Sequence, residues 1–236
     1  RDQAWKQGAD VDFRLNKFWN WHVGFAYMND VLESGRIDVS DERSMFGLNE
    51  VRNFYVGINR DKIRKYSLYN TIDLLPNLSW RSSFNVEDFI RVEPYSFMGD
   101  QTSPGTVVYP YMNIVNELQF NPNKRVIQTQ NGRMSLNTSY PEYKAFYEYG
   151  FDTFGTGRYS RLAFRFQHNY RLRGLGKQSV RITTGKVFGK VAYPKLNTIP
   201  GNAVDGFSVN SHFSFETMGV FEFAASEYIL IQFYHD

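Results

Sequence analysis

Residues 160–174, SRLAFRFQHNYRLRG, alternate without a break. Leu162, Phe164, Phe166, His168, Tyr170 and Leu172 fall on even positions, and Arg161, Arg165, Gln167, Asn169 and Arg171 on odd ones. A period of two is that of a β-strand, whose successive side chains leave opposite faces of the pleat. Alternation alone leaves open what each face meets. In a soluble sandwich the apolar face packs on a second sheet and the charged face is wet; in a membrane barrel the apolar face meets lipid and the charged face lines the lumen.

The same reading extends along the chain. ADVDFRLN (9–16) sets Val11, Phe13 and Leu15 against Asp12, Arg14 and Asn16. FWNWHVGFAYM (18–28) places Trp19, Trp21, Val23, Phe25 and Tyr27 on one face, after a short turn at Asn16–Lys17. The polar stretch 31–44 reads as a loop and 49–59 as β-rich. In 69–86, Pro76 predicts a bend or a sheet edge. The stretches 88–99, 106–121 and 132–152 continue the pattern, with Pro141 dividing a strand from a Tyr-rich extension. GLG at 174–176 has the chemistry of a tight hairpin leading into 177–189. About nine or ten strands joined by short turns predict an all-β antiparallel meander in one domain, residues 1–236, without a fixed-period repeat.

Composition narrows the environment. The 236 residues include 21 Phe, 16 Tyr and 4 Trp, yet the mean hydropathy is -0.47. Abundant aromatics in a polar chain suit a barrel with interfacial girdles and a hydrated interior, and equally a sugar-binding sandwich. The net charge of +3 gives no basic stripe, so nucleic acid is set aside as a partner. The chain has no Cys, which removes disulfides, Cys-based zinc sites and thiol catalysis together. No apolar run approaches the roughly 20 residues of a membrane helix, so any membrane crossing is by strands. The chain starts and stops abruptly, as a piece of a longer protein would.

Strand length favours the membrane. The alternation at 161–172 outruns the roughly 5–6 residues of an average globular strand and reaches the roughly 9–11 of a tilted membrane strand. Arginines toward lipid would cost about 2–4 kcal/mol each at the midplane and little toward a water-filled interior. The expectation is therefore that Arg161, Arg165, Gln167, Asn169 and Arg171 line the lumen of an up-and-down transmembrane β-barrel, while the Leu/Phe face meets lipid.

The C-terminal quarter carries a recognisable pattern. In GKVFGKVAYPKLNTIPGN (185–202) and HFSFETMGVFEFAASEYILIQFYHD (212–236), the positions are Gly189, Tyr193, Pro194, Leu196, Gly201, Asn202, Phe215, Met218, Glu222, Phe223, Ser226, Tyr228 and His235. This pattern resembles the family called domain of unknown function 5686, Bacteroidetes outer-membrane β-barrel proteins often preceded by a carboxypeptidase-regulatory-like module. Residues 125–151 also look like the family's proline-centred strand pair. Glu216 and Glu227 depart from the usual Asn and Asp. The resemblance implies localisation in the bacterial outer membrane and contact with outer-membrane lipid and lipopolysaccharide. It also implies other outer-membrane or periplasmic proteins as partners, and further strands beyond this stretch, so that the barrel here is incomplete.

Candidate chemistry is sparse. His212 and Glu216 are four apart, with Glu222 and His235 following, but the spacing matches no zinc motif, so no metal and no cofactor are expected. No G-x-S-x-G occurs, and no catalytic residue is assigned. TIPGN and NAVDG (198–206) read as an ordinary turn, or as a loop folded into the lumen. RLRGLG (171–176) is similar at two residues to the arginine-glycine loop tip of BamA-like assembly barrels, and a hairpin turn explains it equally well.

Three readings follow. A non-enzymatic component of an outer-membrane assembly, translocation or scaffolding complex ranks first, on analogy. A pore or receptor for anionic or nutrient solutes is the alternative, with Arg161, Arg165 and Arg171 as a selecting ring. A soluble β-sandwich binding module is the runner-up fold.

Overall fold

The computed structural model describes residues 7–33, 60–90, 108–130, 132–136, 140–155, 157–174, 176–198, 201–204, 207–208, 215–219 and 223–235. Nine long strands form one sheet: β1 (Gln7–Asn16), β2 (Trp21–Glu33), β3 (Arg60–Leu75), β4 (Leu78–Ile90), β5 (Val108–Phe120), β8 (Glu142–Phe151), β9 (Tyr159–Leu172), β10 (Gly176–Gly189) and β16 (Glu227–His235). Between β5 and β8 lies a separate hairpin, β6 (Val126–Thr129) and β7 (Gly132–Ser135). Between β10 and β16 come a single 3-10 turn (Tyr193–Lys195) and the short strands β11 (Asn197–Thr198), β12 (Gly201–Val204), β13 (Phe207–Ser208), β14 (Phe215–Gly219) and β15 (Ala224–Ala225).

Every neighbouring pair in the nine-stranded sheet is antiparallel. The all-β antiparallel meander read from alternation is therefore observed. The sheet does not close among the described residues: β1 and β16 are its two edges. A closed barrel is thus not formed by these strands alone.

Three local expectations need correction. Pro76 does not bend a strand; it forms with Asn77 the turn of a hairpin in which Leu75 stands opposite Leu78. The fixed φ of proline suits such a turn and breaks the strand there. The 198–206 stretch is more than a turn, because Gly201–Val204 pairs antiparallel with β13 and parallel with β14. The first turn sits at 17–20, a little later than Asn16–Lys17, because the Asn16 side chain accepts hydrogen bonds from the Phe18 and Trp19 amides. The 49–59 stretch lies outside the described residues, as do most of 31–44 and of 88–99.

Register fixes what each face carries. One rung running across β1, β2, β3, β4, β5 and β8 is Val11, Phe25, Leu68, Phe84, Ile114 and Tyr149. The opposite face carries Ser67, Asn85, Asn113, Lys144, Glu148, Arg165, Gln167, Ser179 and Thr183, all buried. We call these the bare face and the covered face. The polarity is inverted relative to a soluble sandwich: the polar side is sheltered and the apolar side stands open. On the bare face the Trp21 indole donates to Asn70 at 2.6 Å and the Trp80 indole to Asn116 at 3.3 Å, which satisfies polar groups among apolar neighbours.

A small apolar core, Ile63, Phe89, Tyr109, Tyr111, Tyr159, Val187, Val191 and Ala192, lies on the covered face. Tyrosines there lie across glycines of the next strand. A Cβ on Gly150 would come within 1.9 Å of the Tyr159 ring, and one on Gly185 within 2.7 Å of the Tyr228 ring. In both pairs the two residues stand directly opposite one another, so the ring occupies the space that a side chain would need.

Candidate functional site

The segment after β10 turns back over the covered face. Gly189 makes the turn at φ +96, and a Cβ there would meet the Arg158 carbonyl oxygen at 2.5 Å. Only glycine combines that backbone conformation with that close approach. Residues 191–198 then enter the sheltered side: Val191, Ala192, Lys195, Asn197 and Thr198 are all buried, Ala192 completely. Pro194 lies in the opening positions of the 3-10 turn, where its missing N–H is not needed. The segment is tied down by Ala192 N–H donating to the Tyr111 hydroxyl at 3.2 Å and by pairing of Asn197 with Ala225.

Lys195 is the centre of this site. Its ammonium lies 2.6 Å from Glu87 Oε2 on β4 and 2.8 Å from Glu148 Oε1 on β8. The rings of Phe89, Tyr111 and Tyr159 surround it at 5.3, 5.3 and 5.7 Å, within cation–π range. Each carboxylate has a second cation: Lys65 at 2.9 Å from Glu87, and Arg161 at 3.0 Å from Glu148. The Tyr159 hydroxyl also donates to Glu148, at 2.5 Å. Burial alone would push the Lys195 ammonium down, but Glu148 and Glu87 overcome it and hold the group well above the ordinary lysine value. The cation stays charged at any physiological pH.

Chemically, three cations meet two buried carboxylates. Both carboxylates are held in ion pairs, Glu87 with Lys195 and Lys65 and Glu148 with Lys195 and Arg161. The arrangement is a latch that binds a chain segment to the wall of the sheet. Removing one of the two carboxylates leaves buried cations short of a partner, at about 3–5 kcal/mol, while removing Lys195 leaves each carboxylate one cation.

The residues picked out from alternation divide. Arg161 joins the latch through Glu148 and donates to Asn197 Oδ1 at 3.3 Å. Arg165 is buried on the same face, opposite Lys144 and Thr183. Gln167 is buried and accepts two hydrogen bonds from Arg181, at 3.1 and 2.9 Å, while its own amide reaches Asn169 at 3.5 Å. Arg171 is exposed near the hairpin end of β9. Because Arg161, Arg165 and Arg171 lie along one strand at about 3.4 Å per residue, they spread over about 34 Å and form a column, not a ring.

The residues of the C-terminal pattern also divide. Gly189 and Pro194 shape the fold-back. Gly201 and Asn202 lie in β12, Phe215 and Met218 in β14. Phe223 is exposed, and the Ser226 carbonyl accepts from Val187 N–H at 2.6 Å. Tyr228 is buried against Gly185. His235 ends β16 and bonds Gln178 opposite it. Glu222 and His212 lie outside the described residues. Among those described, no group of three or more His, Cys, Asp or Glu is placed to hold a metal, and no helix is long and apolar enough to cross a membrane. His22 pairs with Asp12 at 2.7 Å, and His168 stacks on Tyr170.

Sequence reasoning missed Lys195, Glu87 and Glu148. Glu148 and Lys144 share the even face of β8, and Lys195 sits inside the quoted Tyr-Pro-Lys-Leu pattern, so the residues were visible. Their conjunction was not: Lys195 is 108 residues from Glu87 and 47 from Glu148.

Among protein families, the one described as Family of unknown function (DUF5686) C-terminal domain matches residues 51–236. No curated protein and no solved structure matches the chain.

Proposed function

The chain belongs to the DUF5686 family, as its C-terminal domain, and on that premise we propose that it is part of a non-enzymatic outer-membrane β-barrel serving in an assembly, translocation or scaffolding complex. The observation that carries this reading is the inverted polarity of the sheet. Phe25, Leu68, Leu162, Phe164, Ile229 and Ile231 stand on the exposed face, while Glu148, Arg165 and Gln167 are buried on the other. In water each such apolar side chain forgoes about 1.5–3 kcal/mol of burial, and a continuous patch of that size drives association. In lipid the same face is satisfied. Strands of 13 to 16 residues, such as β3, β4 and β5, are long enough to cross the hydrocarbon with tilt.

The latch favours a scaffold or assembly role over an open pore. A segment bound through Lys195 across the covered face obstructs the interior that a solute would traverse. The alternative, an anion-selecting pore, rests on Arg161 and Arg165, but Arg161 is already neutralised by Glu148. Deleting the full-length gene and comparing outer-membrane protein composition tests the proposal. Selective loss of particular outer-membrane proteins is the result predicted for an assembly or scaffolding component. An unchanged protein profile with impaired uptake of an anionic solute would support the pore instead.

A further inference from the structure

Antiparallel pairing sorts the connections between the nine strands to two ends of the sheet. Residues 17–20, 76–77, 121–141 and 173–175 lie at one end, and 34–59, 91–107, 152–158 and 190–226 at the other. The Lys195 fold-back follows β10 and so enters from the second end. Outer-membrane barrels turn their short connections to the periplasm and their longer loops outward. On the barrel reading, the fold-back therefore shuts the outer side, and the first end, which carries the β6–β7 hairpin, faces the periplasm.

The hairpin reaches across that end. It departs from β5, which stands three places from β2 and four from β1, about 14–19 Å at 4.7–4.9 Å per strand. Its tip nevertheless lands on the β1–β2 turn. The Arg133 guanidinium lies over the Phe18 and Trp19 rings at 5.1 and 5.8 Å, and it donates to the Asp73 carbonyl near the end of β3 at 3.4 Å. The Asp73 amide in turn donates to the Trp19 carbonyl at 2.8 Å. A Cβ on Gly132 would stand 3.3 Å from an Arg14 guanidinium nitrogen and 3.8 Å from the Lys17 carbonyl oxygen, and its φ of +121 favours glycine. Arg14 belongs to the covered face, on the rung it shares with His22 and Thr71. The tip thus bridges the end of the polar interior from β5 to β1.

This clasp is light. Among the described residues β6 and β7 pair only with each other, and a two-stranded hairpin is marginal by itself. Ile127, Met134 and Leu136 on it stand exposed. The fold-back is held instead by buried ion pairs to β4 and β8. Segments with few buried contacts open first.

We infer that the β6–β7 hairpin is a strap across the periplasmic mouth, clasped by Arg133, and that it rather than the fold-back is the element that opens. The periplasmic side, though not the strap itself, rests on the barrel reading above. Access to the interior is then from the periplasm while the latch stays shut, which suits an assembly component and opposes uptake from outside.

Thr71→Cys places a reporter on the half-buried rung beside the strap, and Thr198→Cys marks the fold-back; the 236 residues hold no other Cys. In the full-length protein in detergent, labelling by a maleimide carrying a polyethylene glycol chain is followed at each position. Arg133→Ala removes both ring contacts and is predicted to speed labelling of Thr71→Cys about tenfold while leaving Thr198→Cys unchanged. Replacing residues 126–135 by Gly-Ser-Gly removes the strap outright and is predicted to give at least the same acceleration. Equal rates at Thr71→Cys in the parent, Arg133→Ala and strapless proteins would show that the hairpin closes nothing. Parallel acceleration at Thr198→Cys would show a general loosening of the sheet. Either overturns the inference. A parent protein that stays soluble without detergent would refute the barrel reading and the periplasmic side with it, and the strap would still be decided by the Thr71→Cys rates.

Discussion

Replacing Lys195 by Met keeps the length of the side chain and removes the charge that joins the fold-back to β4 and β8. Glu87 and Glu148 are both buried, and each retains one cation, Lys65 and Arg161 respectively. The cost therefore falls at the lower end of the range for breaking a buried pair, about 3 kcal/mol. If the segment opens locally, that cost shifts its open population by about 100-fold, at about 1.4 kcal/mol per decade. Thr198→Cys reports the opening: the position is buried, the new side chain is nearly the same size, and no other Cys is present in the chain. Maleimide labelling of Thr198→Cys in the detergent-folded protein is predicted to accelerate about 100-fold when Lys195→Met is added. Equal labelling rates with and without Lys195→Met would refute the latch.

Gly150→Ala drives a methyl into the Tyr159 ring and displaces the hydroxyl that bonds Glu148; a loss of about 2–3 kcal/mol, read from the unfolding midpoint in detergent, is predicted. Phe164→Arg puts a charge on the bare face and costs about 2–4 kcal/mol of folding in lipid, while Asn169→Arg on the covered face is tolerated; refolding yields in liposomes compare the two. Lys195 has a raised pKa, so its contribution is fully present below the unfolded lysine value of about 10.4 and is lost only as pH rises through the higher folded value. The difference in unfolding temperature between the parent and Lys195→Met is accordingly predicted to stay constant from about pH 7 to 10 and to shrink above that range.

Much of the architecture was legible because the period of two is a local property. Register and burial put Arg165 and Gln167 on one side of β9 and Leu162 and Phe164 on the other, as alternation implies. What escaped was non-local. Around Pro76, Leu74, Leu75 and Leu78 form a nearly continuous apolar run in sequence, and only the pairing of Leu75 with Leu78 exposes the hairpin. The latch escaped for a related reason: Lys195, Glu87 and Glu148 look like ordinary surface charges until the fold-back at Gly189 joins three distant segments. Arg161, Arg165 and Arg171 all belong to β9 and make a column, since a ring needs residues from several strands at one height.

The central claim is that the bare face meets lipid and the covered face does not. Single Cys residues at Leu68, Phe164 and Ile231 on the bare face, and at Ser179 and Thr183 on the covered face, can carry an environment-sensitive fluorophore in the full-length protein in bilayers. The account predicts blue-shifted emission quenched by spin-labelled acyl chains at the first three positions and no acyl-chain quenching at the last two. Equal quenching of both sets, or water-like emission from Leu68, Phe164 and Ile231, would contradict it.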